Sequence, residues 1–303
     1  MATLRWKMLS HLTRRYPLKS GCAKATLNPL TRALAGPCDK TIWARGPLGV
    51  RLRTPSADYV GRVVFFIGDL DPKLTWICRR LVGRGDTVLD IGANIGLVTM
   101  VLSKLAGPSG AVHAFEPNQN LLALLDETLP ENNASNVILH RCALGSEPAE
   151  LELTVPVGNT GGATLARSVE SERVAYTTTV PVRRLVDELS GVGPIRFVKI
   201  DVEGYEAQVL QGAAQILTDS PPDAILFEAN RYEGAAGEHP VFRLLSGFGY
   251  RFFSIPRTFL SVQPRVMSLE DRVEASGHDV LAASARAYDE VARLVRAKRA
   301  ARQ

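Results

Sequence analysis

The 303-residue chain has no stretch of 18 residues that is both strongly apolar and free of charge. It therefore contains no candidate membrane span. Cysteine is sparse: Cys22, Cys38, Cys78 and Cys142 form no CxxC pair and follow no regular spacing. That pattern indicates neither a zinc site nor a disulfide framework, and reduced, mostly buried thiols of a cytoplasmic protein are expected. There is no internal repeat and no low-complexity tract, which excludes a repeat array. Acid is missing altogether from residues 1–38, which carry seven Lys or Arg. Residues 276–303 carry six basic and three acidic residues, so of a net charge of +5 the segment 39–275 retains −5. A nucleic-acid enzyme spreads basic charge around its working cleft. Here the basic charge sits at the two ends, which argues against a nucleic-acid substrate.

The basic first 38 residues lack the apolar core of a signal peptide. Pro17, Gly21, Pro29, Gly36 and Pro37 break them repeatedly, so a continuous amphipathic presequence helix is not expected. They read as a lead-in that lies on the domain and is retained, with an organelle-targeting segment as the alternative. The hydrophobic residues, 46% of the chain, and the charged ones, 22%, fit one large globular α/β domain with appendages or two small domains.

Residues 41–55 read as a short hairpin turned at Gly46-Pro47. "LDPKLTWICRRLV" (70–82) has apolar residues at helical spacing, with Asp71 and Pro72 as N-cap and first-turn pair. From residue 86 strands and helices alternate: "TVLDI", a helix over 95–106, "AVHAFE", the helix "NQNLLALLDETLPEN", and "VILHRCAL". Such alternation specifies a parallel sheet covered on both faces. Residues 149–182 interrupt it with two extended segments around "GNTGGATL", read as a substrate-side or cofactor-side flap or a solvent-exposed hairpin loop. It resumes with "IRFVKID", a helix over 204–217, "DAILFEAN", a helix over 239–247, and a terminal pair near "YRFFSIP" and "TFLSVQP". The end, about 278–300, reads as a basic amphipathic helix. The expected organisation is a lead-in with hairpin (1–60), an α/β domain (61–265) and a C-terminal helix (266–303).

The turn between the first strand and helix of the alternation reads Asp90-Ile-Gly92-Ala-Asn94-Ile-Gly96. It lacks the GxGxxG spacing of a dinucleotide fingerprint and carries an acid. An acid there repels a pyrophosphate and attracts a cation such as the ammonium of an amino acid; a ligand-free capping turn is the alternative. Glu116, followed by Pro117 and Asn118, ends the second strand. In a doubly wound sheet that tip lies beside the first turn, where a carboxylate can accept from both hydroxyls of a ribose. One ligand satisfies both acids: S-adenosylmethionine. NAD would suit Glu116 but not Asp90. Cys142 and Ala143, at the end of the third strand, would flank the adenine, or Cys142 is a small buried hydrophobe.

"DTVLDIGANIGLVTMVLSKLAGPSGAVHAFEPN", "GNTGGATL", "VKIDVEGYEAQVLQGA" and "ILFEAN" resemble the FkbM-type methyltransferases over about residues 60–255. The resemblance implies a Rossmann-like class I methyltransferase fold, with a seven-stranded mostly parallel sheet and helices on both faces. It also implies S-adenosyl-L-methionine as cofactor and methylation of hydroxyl oxygens on sugars or secondary metabolites. By position, Asp90, Gly92, Asn94 and Gly96 match the cofactor turn and Glu116 the ribose acid. Asp201, Glu203 and Gly204 match the signature after the fourth strand.

Lys199, Asp201 and Glu203 fall at the carboxyl end of that strand, the edge that faces the ligand crevice. They are the candidates to take the proton of a hydroxyl acceptor, with His239 as a further base, although a lone His at a helix start is more often structural or exposed. A structural Lys199–Asp201 ion pair is the competing reading. Asp201, Glu228 and Asn230 form an oxygen set that would suit Mg2+, although nothing in the sequence requires a metal. The expected partner is a small-molecule or glycan acceptor, with no nucleic acid. N-methylation of a protein or RNA would call for a basic or aromatic cleft. A non-catalytic nucleotide- or sugar-binding module is the reading from outside the enzymes.

Overall fold

The computed structural model describes residues 4–14, 29–36, 39–166, 173–229, 232–256, 261–274 and 279–296. The chain opens with helices α1 (Leu4–Thr13) and α2 (Pro29–Ala35) and a hairpin of β1 (Thr41–Arg45) and β2 (Arg51–Pro55). Helices α3 (Tyr59–Ile67) and α4 (Pro72–Leu81) follow. The alternating part then runs β3 (Thr87–Ile91), α5 (Leu97–Ala106), β4 (Ala111–Phe115), α6 (Gln119–Glu131) and β5 (Val137–His140). A small sheet of β6 (Ala143–Leu144), β7 (Ala149–Pro156) and β8 (Val174–Arg183) interrupts it. Next come α7 (Leu185–Glu188), β9 (Ile195–Ile200), α8 (Glu206–Gly212), α9 (Ala214–Asp219) and β10 (Ala224–Glu228). The remainder is β11 (Gly234–Ala235), α10 (Pro240–Gly247), β12 (Arg251–Ile255), β13 (Arg265–Met267), β14 (Arg272–Val273), β15 (Asp279–Ala283) and α11 (Tyr288–Arg296).

The central sheet has the order β13-β12-β15-β10-β9-β3-β4-β5. The sheet has eight strands rather than the expected seven: the terminal pair expected near "YRFFSIP" and "TFLSVQP" is β12 with β13, which starts only at Arg265, and β15 is the added strand. Neighbours from β10 to β5 are parallel, whereas β15 is antiparallel to both β10 and β12. Side chains alternate between two cores, as the two-residue period of a strand requires. On β10, Ile225 and Phe227 pack with α8 and α10 residues such as Val209 and Phe242. Ala224 and Leu226 pack on the other face with Ile77 of α4, Val101 of α5 and Val291 of α11.

Two expectations change. The single strand expected over 137–144 is divided: β5 stays in the main sheet, and β6 leaves it to pair with β8. The C-terminal segment is not a helix from about 278, and the boundary at 265 does not hold. Residues 279–283 form β15 inside the main sheet, and the helix starts at Tyr288. Val280, Leu281, Ala282 and Ala283 are all fully buried. A short apolar run buried on both faces has no strand period to display.

The lead-in shares a core with the rest. Trp6 on α1 is 0% exposed. It packs on Phe66 and Phe65, with ring centroids 4.8 and 5.3 Å away, and under the Arg62 guanidinium. The Arg14 guanidinium donates to the Phe65 and Arg45 carbonyls, both at 2.9 Å. The same apolar cluster includes Ile42, Leu52 and Val64 with Met100 and Leu121, so no break in packing falls at residue 60. Among the described residues, no helix is long and apolar enough to cross a membrane. Trp6→Ala should lower unfolding free energy by about 3–5 kcal/mol, the scale for emptying a buried aromatic site. Denaturant unfolding of the full chain measures it, and a loss below about 1 kcal/mol would separate α1 from the core.

Candidate active site

The turn after β3 lies at the carboxyl ends of the parallel strands, where an open α/β sheet forms its ligand crevice. Gly92 has φ +81, and a Cβ there would come 2.0 Å from the carbonyl oxygen of Asp201. Gly92 is thus required for the turn to rest on the tip of β9. Gly96 serves differently. It starts α5, and a Cβ on it would strike Leu125 of α6 at 2.6 Å. Between them Asn94 adopts φ +53. Its side-chain oxygen accepts from the Ile95 N–H at 2.6 Å, a local bond of the kind that makes Asn tolerant of this region.

Lys199 is the centre of the arrangement. β3 and β9 are parallel with Asp90 opposite Lys199. The ammonium donates to the Gly92 carbonyl at 2.7 Å and lies 3.5 Å from both Asp90 and Asp201. Burial works to lower its pKa, but Asp201 and Asp90 outweigh it, so the ammonium is held above its ordinary value. Lys199 is therefore a buried tie whose three donors face protein oxygens. Asp90, expected to meet a ligand cation, is fully buried and lines neither cavity described below. One of its oxygens accepts from Thr99 at 2.6 Å and the other faces Lys199. The cation it attracts is the protein's own.

Glu116 is 5% exposed. One oxygen accepts from the Asn94 N–H at 2.8 Å and the other from the Asn118 N–H at 2.9 Å. Each keeps a lone pair for a further donor. Asn118 caps α6 by accepting from the Asn120 N–H, and its side chain also accepts from the Tyr176 hydroxyl at 3.1 Å. Glu206, absent from the expected set, holds the loop after β9. Its Oε1 accepts from the Val202 and Gly204 N–H groups at 3.2 and 3.1 Å. Between those donors Glu203 sits at φ +54, and Gly204 follows at +101. Its sequence signal is an acid in the first turn of a helix.

Two adjoining cavities open over this turn. The wider, about 420 Å3, is in the range of small-molecule sites. It is walled by Tyr59, Leu74 and Cys78 on one side and by Lys199, Asp201, Glu203 and Glu228 at the strand tips. The narrower, about 60 Å3, is lined by Phe115, Glu116, Pro117, Cys142 and Ala143. Gly92, Asn94, Gly161 and Asp201 line both. Asp69, Asp71, Asp201, Glu203, Glu228 and Asp279 supply acid to the wider cavity, against Lys73 and Lys199 among the described residues. Burial pushes the Asp69 carboxyl up to about 6. Lys73 pairs with Asp71 and Asp279.

The structure thus gathers Gly92, Asn94, Glu116, Pro117, Cys142, Ala143, Lys199, Asp201 and Glu203 around one crevice. It does not bring His239 there. That side chain caps α10, accepting from the Val241 N–H at 3.3 Å, packs edge-on against Tyr232 and Phe242, and lines neither cavity. A His before Pro and a helix carries this capping reading in its sequence. Asn230 lies outside the described residues, as do Cys22 and Cys38. Among the described residues no group of three or more His, Cys, Asp or Glu is arranged to hold a metal ion. Cys142 is a free, buried thiol pushed up to about 12 by burial. It stays protonated and acts as a small apolar wall.

The methyltransferase FkbM domain model matches residues 90–252, more than half of the chain. No curated protein matches it. Among solved structures the chain is similar to the methyltransferase FkbM from Methylobacillus flagellatus KT, at 17% identity and TM-score 0.40. That match covers 65% of this chain and 43% of the other, so this chain spans less than half of that protein. It is also similar to precorrin-6y C5,15-methyltransferase from Geobacter metallireducens GS-15, at 13% identity and TM-score 0.41, covering 71% and 89%. A third is Aeropyrum pernix fibrillarin in complex with S-adenosyl-L-methionine, at 14% identity and TM-score 0.37, covering 67% and 68%.

Burial raises the Glu116 carboxyl from 4.5 to about 7, against the opposing effect of its two N–H donors. Its proton is held more tightly in the folded than in the unfolded chain. The resulting stability is present in full below pH 4.5 and is lost as pH rises through about 7. Relative to Glu116→Gln, the parent should therefore lose unfolding free energy between about pH 5 and 7.5. Parallel stability curves for the two proteins would contradict this.

Proposed function

The chain belongs to the FkbM methyltransferase family, and on that footing we propose that it transfers a methyl group from S-adenosylmethionine to a hydroxyl oxygen of a sugar or natural-product small molecule. The observation that carries this reading is the shared edge of the two cavities at Gly92, Asn94, Gly161 and Asp201. A cofactor lying across the turn would have its ribose on the Glu116 side and its reacting end beside Asp201.

The donor set suits that cofactor. Glu116 has an acceptor position left on each oxygen for the ribose hydroxyls, and Phe115, Cys142 and Ala143 offer an apolar slot beside it. When bound, the cofactor supplies an electrophilic methyl carbon on a sulfonium. The protein's part is to place an oxygen about 3 Å from that carbon, in line, and to keep water out. Asp201 is 42% exposed at the side chain and lines both cavities, which supports it as the group that takes the acceptor's proton. Lys199, beside it, keeps that carboxylate anchored to the turn. Glu203 and Glu228 line the acceptor side. They and the other acids there favour a neutral polyhydroxylated or cationic acceptor over a phosphate-bearing one. This supports a small-molecule acceptor over an RNA.

Asp201→Asn should leave S-adenosylmethionine affinity near that of the parent and lower single-turnover methyl transfer by roughly 10²- to 10⁴-fold, the range for losing a general base. Transfer of labelled methyl to a panel of sugar and natural-product hydroxyls is the assay. A variant with a lower melting temperature but parental turnover would make Asp201 half of a structural ion pair only. Glu116→Ala should weaken cofactor binding by about 1–3 kcal/mol, the scale of charge-assisted hydrogen bonds. Titration calorimetry reads it, and an unchanged affinity would move the ribose elsewhere.

A further inference from the structure

The loop at residues 158–164 lies on the site and is pinned from two sides. Asp58, 4% exposed, caps α3 by accepting from the Val60 and Gly61 N–H groups at 2.9 and 3.4 Å. Its other oxygen reaches across 102 residues of sequence to accept from the Thr160 N–H at 2.7 Å. The Tyr59 N–H donates to the Gly158 carbonyl at 2.9 Å. At the far end, Thr164 pairs with Thr154 through two backbone bonds of 3.0 Å, and its hydroxyl donates to the Glu203 carbonyl at 2.8 Å. A Cβ on Gly161 would sit 2.9 Å from the Val60 side chain and 3.1 Å from the Asn94 side-chain amide, so the loop packs closely against both side chains.

Successive residues of this loop face different cavities. Asn159 lines the wider, Thr160 the narrower, and Gly161 both. The Thr160 hydroxyl is buried and has no hydrogen-bond partner among the described residues. Buried hydroxyls are rarely left unpaired. This one lines the same cavity as Glu116, on a backbone held at its own N–H by a buried carboxylate.

We propose that the Thr160 hydroxyl hydrogen-bonds to bound S-adenosylmethionine, and that Asp58 is the positioning residue that holds Thr160 at the cofactor. The proposal rests on the methyltransferase reading above. It makes the 158–164 loop a roof over the cofactor that is hung from the N-terminal part of the chain.

The test is titration calorimetry of S-adenosylmethionine into the full-length parent, Thr160→Val, Thr160→Ser, Asp58→Asn and the Asp58→Asn/Thr160→Val double variant, with melting temperatures recorded for each. Thr160→Val keeps the branched shape and loses the hydroxyl. Its dissociation constant should rise roughly three- to ten-fold, the scale of one neutral hydrogen bond. Its melting temperature should not fall, because the hydroxyl has no partner among the described residues. Thr160→Ser should bind within about two-fold of the parent. Asp58→Asn should also weaken binding, but in the double variant it should add little to the loss already caused by Thr160→Val, since its effect runs through that hydroxyl. A parent that binds together with a Thr160→Val variant that binds equally well overturns the proposal alone. Additive losses in the double variant would remove Asp58 from its positioning role. A parent that does not bind S-adenosylmethionine overturns the methyltransferase reading and the proposal with it.

Discussion

The ammonium of Lys199 holds the crevice together. It stands between Asp90 and Asp201 and donates to the Gly92 carbonyl, so one buried cation joins the turn after β3 to the tip of β9. Two acids so close to each other need it. Removing one partner of such a set leaves an uncompensated buried charge, which costs more than the intact set contributes. The register of β3 on β9 puts Asp90 opposite Lys199, and the close approach of Gly92 to the Asp201 carbonyl is possible because residue 92 has no side chain. Charge and backbone contact therefore specify the same geometry.

The surrounding parts inherit their positions from that junction. Asn94, at positive φ, turns its N–H to Glu116. Glu203, also at positive φ, offers its carbonyl to Thr164, while Glu206 holds the N–H groups on either side of it. Non-glycine residues in the left-handed region persist only where neighbours over-determine them. Here the determining contacts come from four separate stretches of chain that meet at the carboxyl edge of the sheet. The N-terminal part takes part in this: Trp6 anchors α1 to α3, and α3 begins at Asp58, which reaches the loop above the turn.

Much of this was legible in the chain itself. The alternation from residue 86, the Gly-rich turn, Glu116 at the tip of β4 and the Asp201–Glu203 stretch after β9 are local patterns. Each records a backbone requirement or a strand end that adjacent residues impose. Asp58 before an apolar run and Glu206 at a helix start also carry local cap signals, but a cap signal does not say which distant loop the second oxygen of Asp58 will hold. In the sequence His239 reads as a further base or as a structural or exposed residue at a helix start, until Tyr232 and Phe242 are seen packed against it.

The sequence by itself determined the parallel α/β framework, the place of the turn and the acids at the strand tips, because periodicity, glycine and caps act over a few residues. Tertiary structure alone decided which cation answers Asp90, since that depends on the lateral register of β3 against β9, more than 100 residues away. It decided that residues 279–283 enter the sheet between β10 and β12 rather than begin a helix. It also decided that Asp58, Asn94 and Glu203, far apart in the chain, converge on one loop. Long-range pairings of this kind follow from burial and charge compensation in three dimensions, and a one-dimensional pattern carries no record of them.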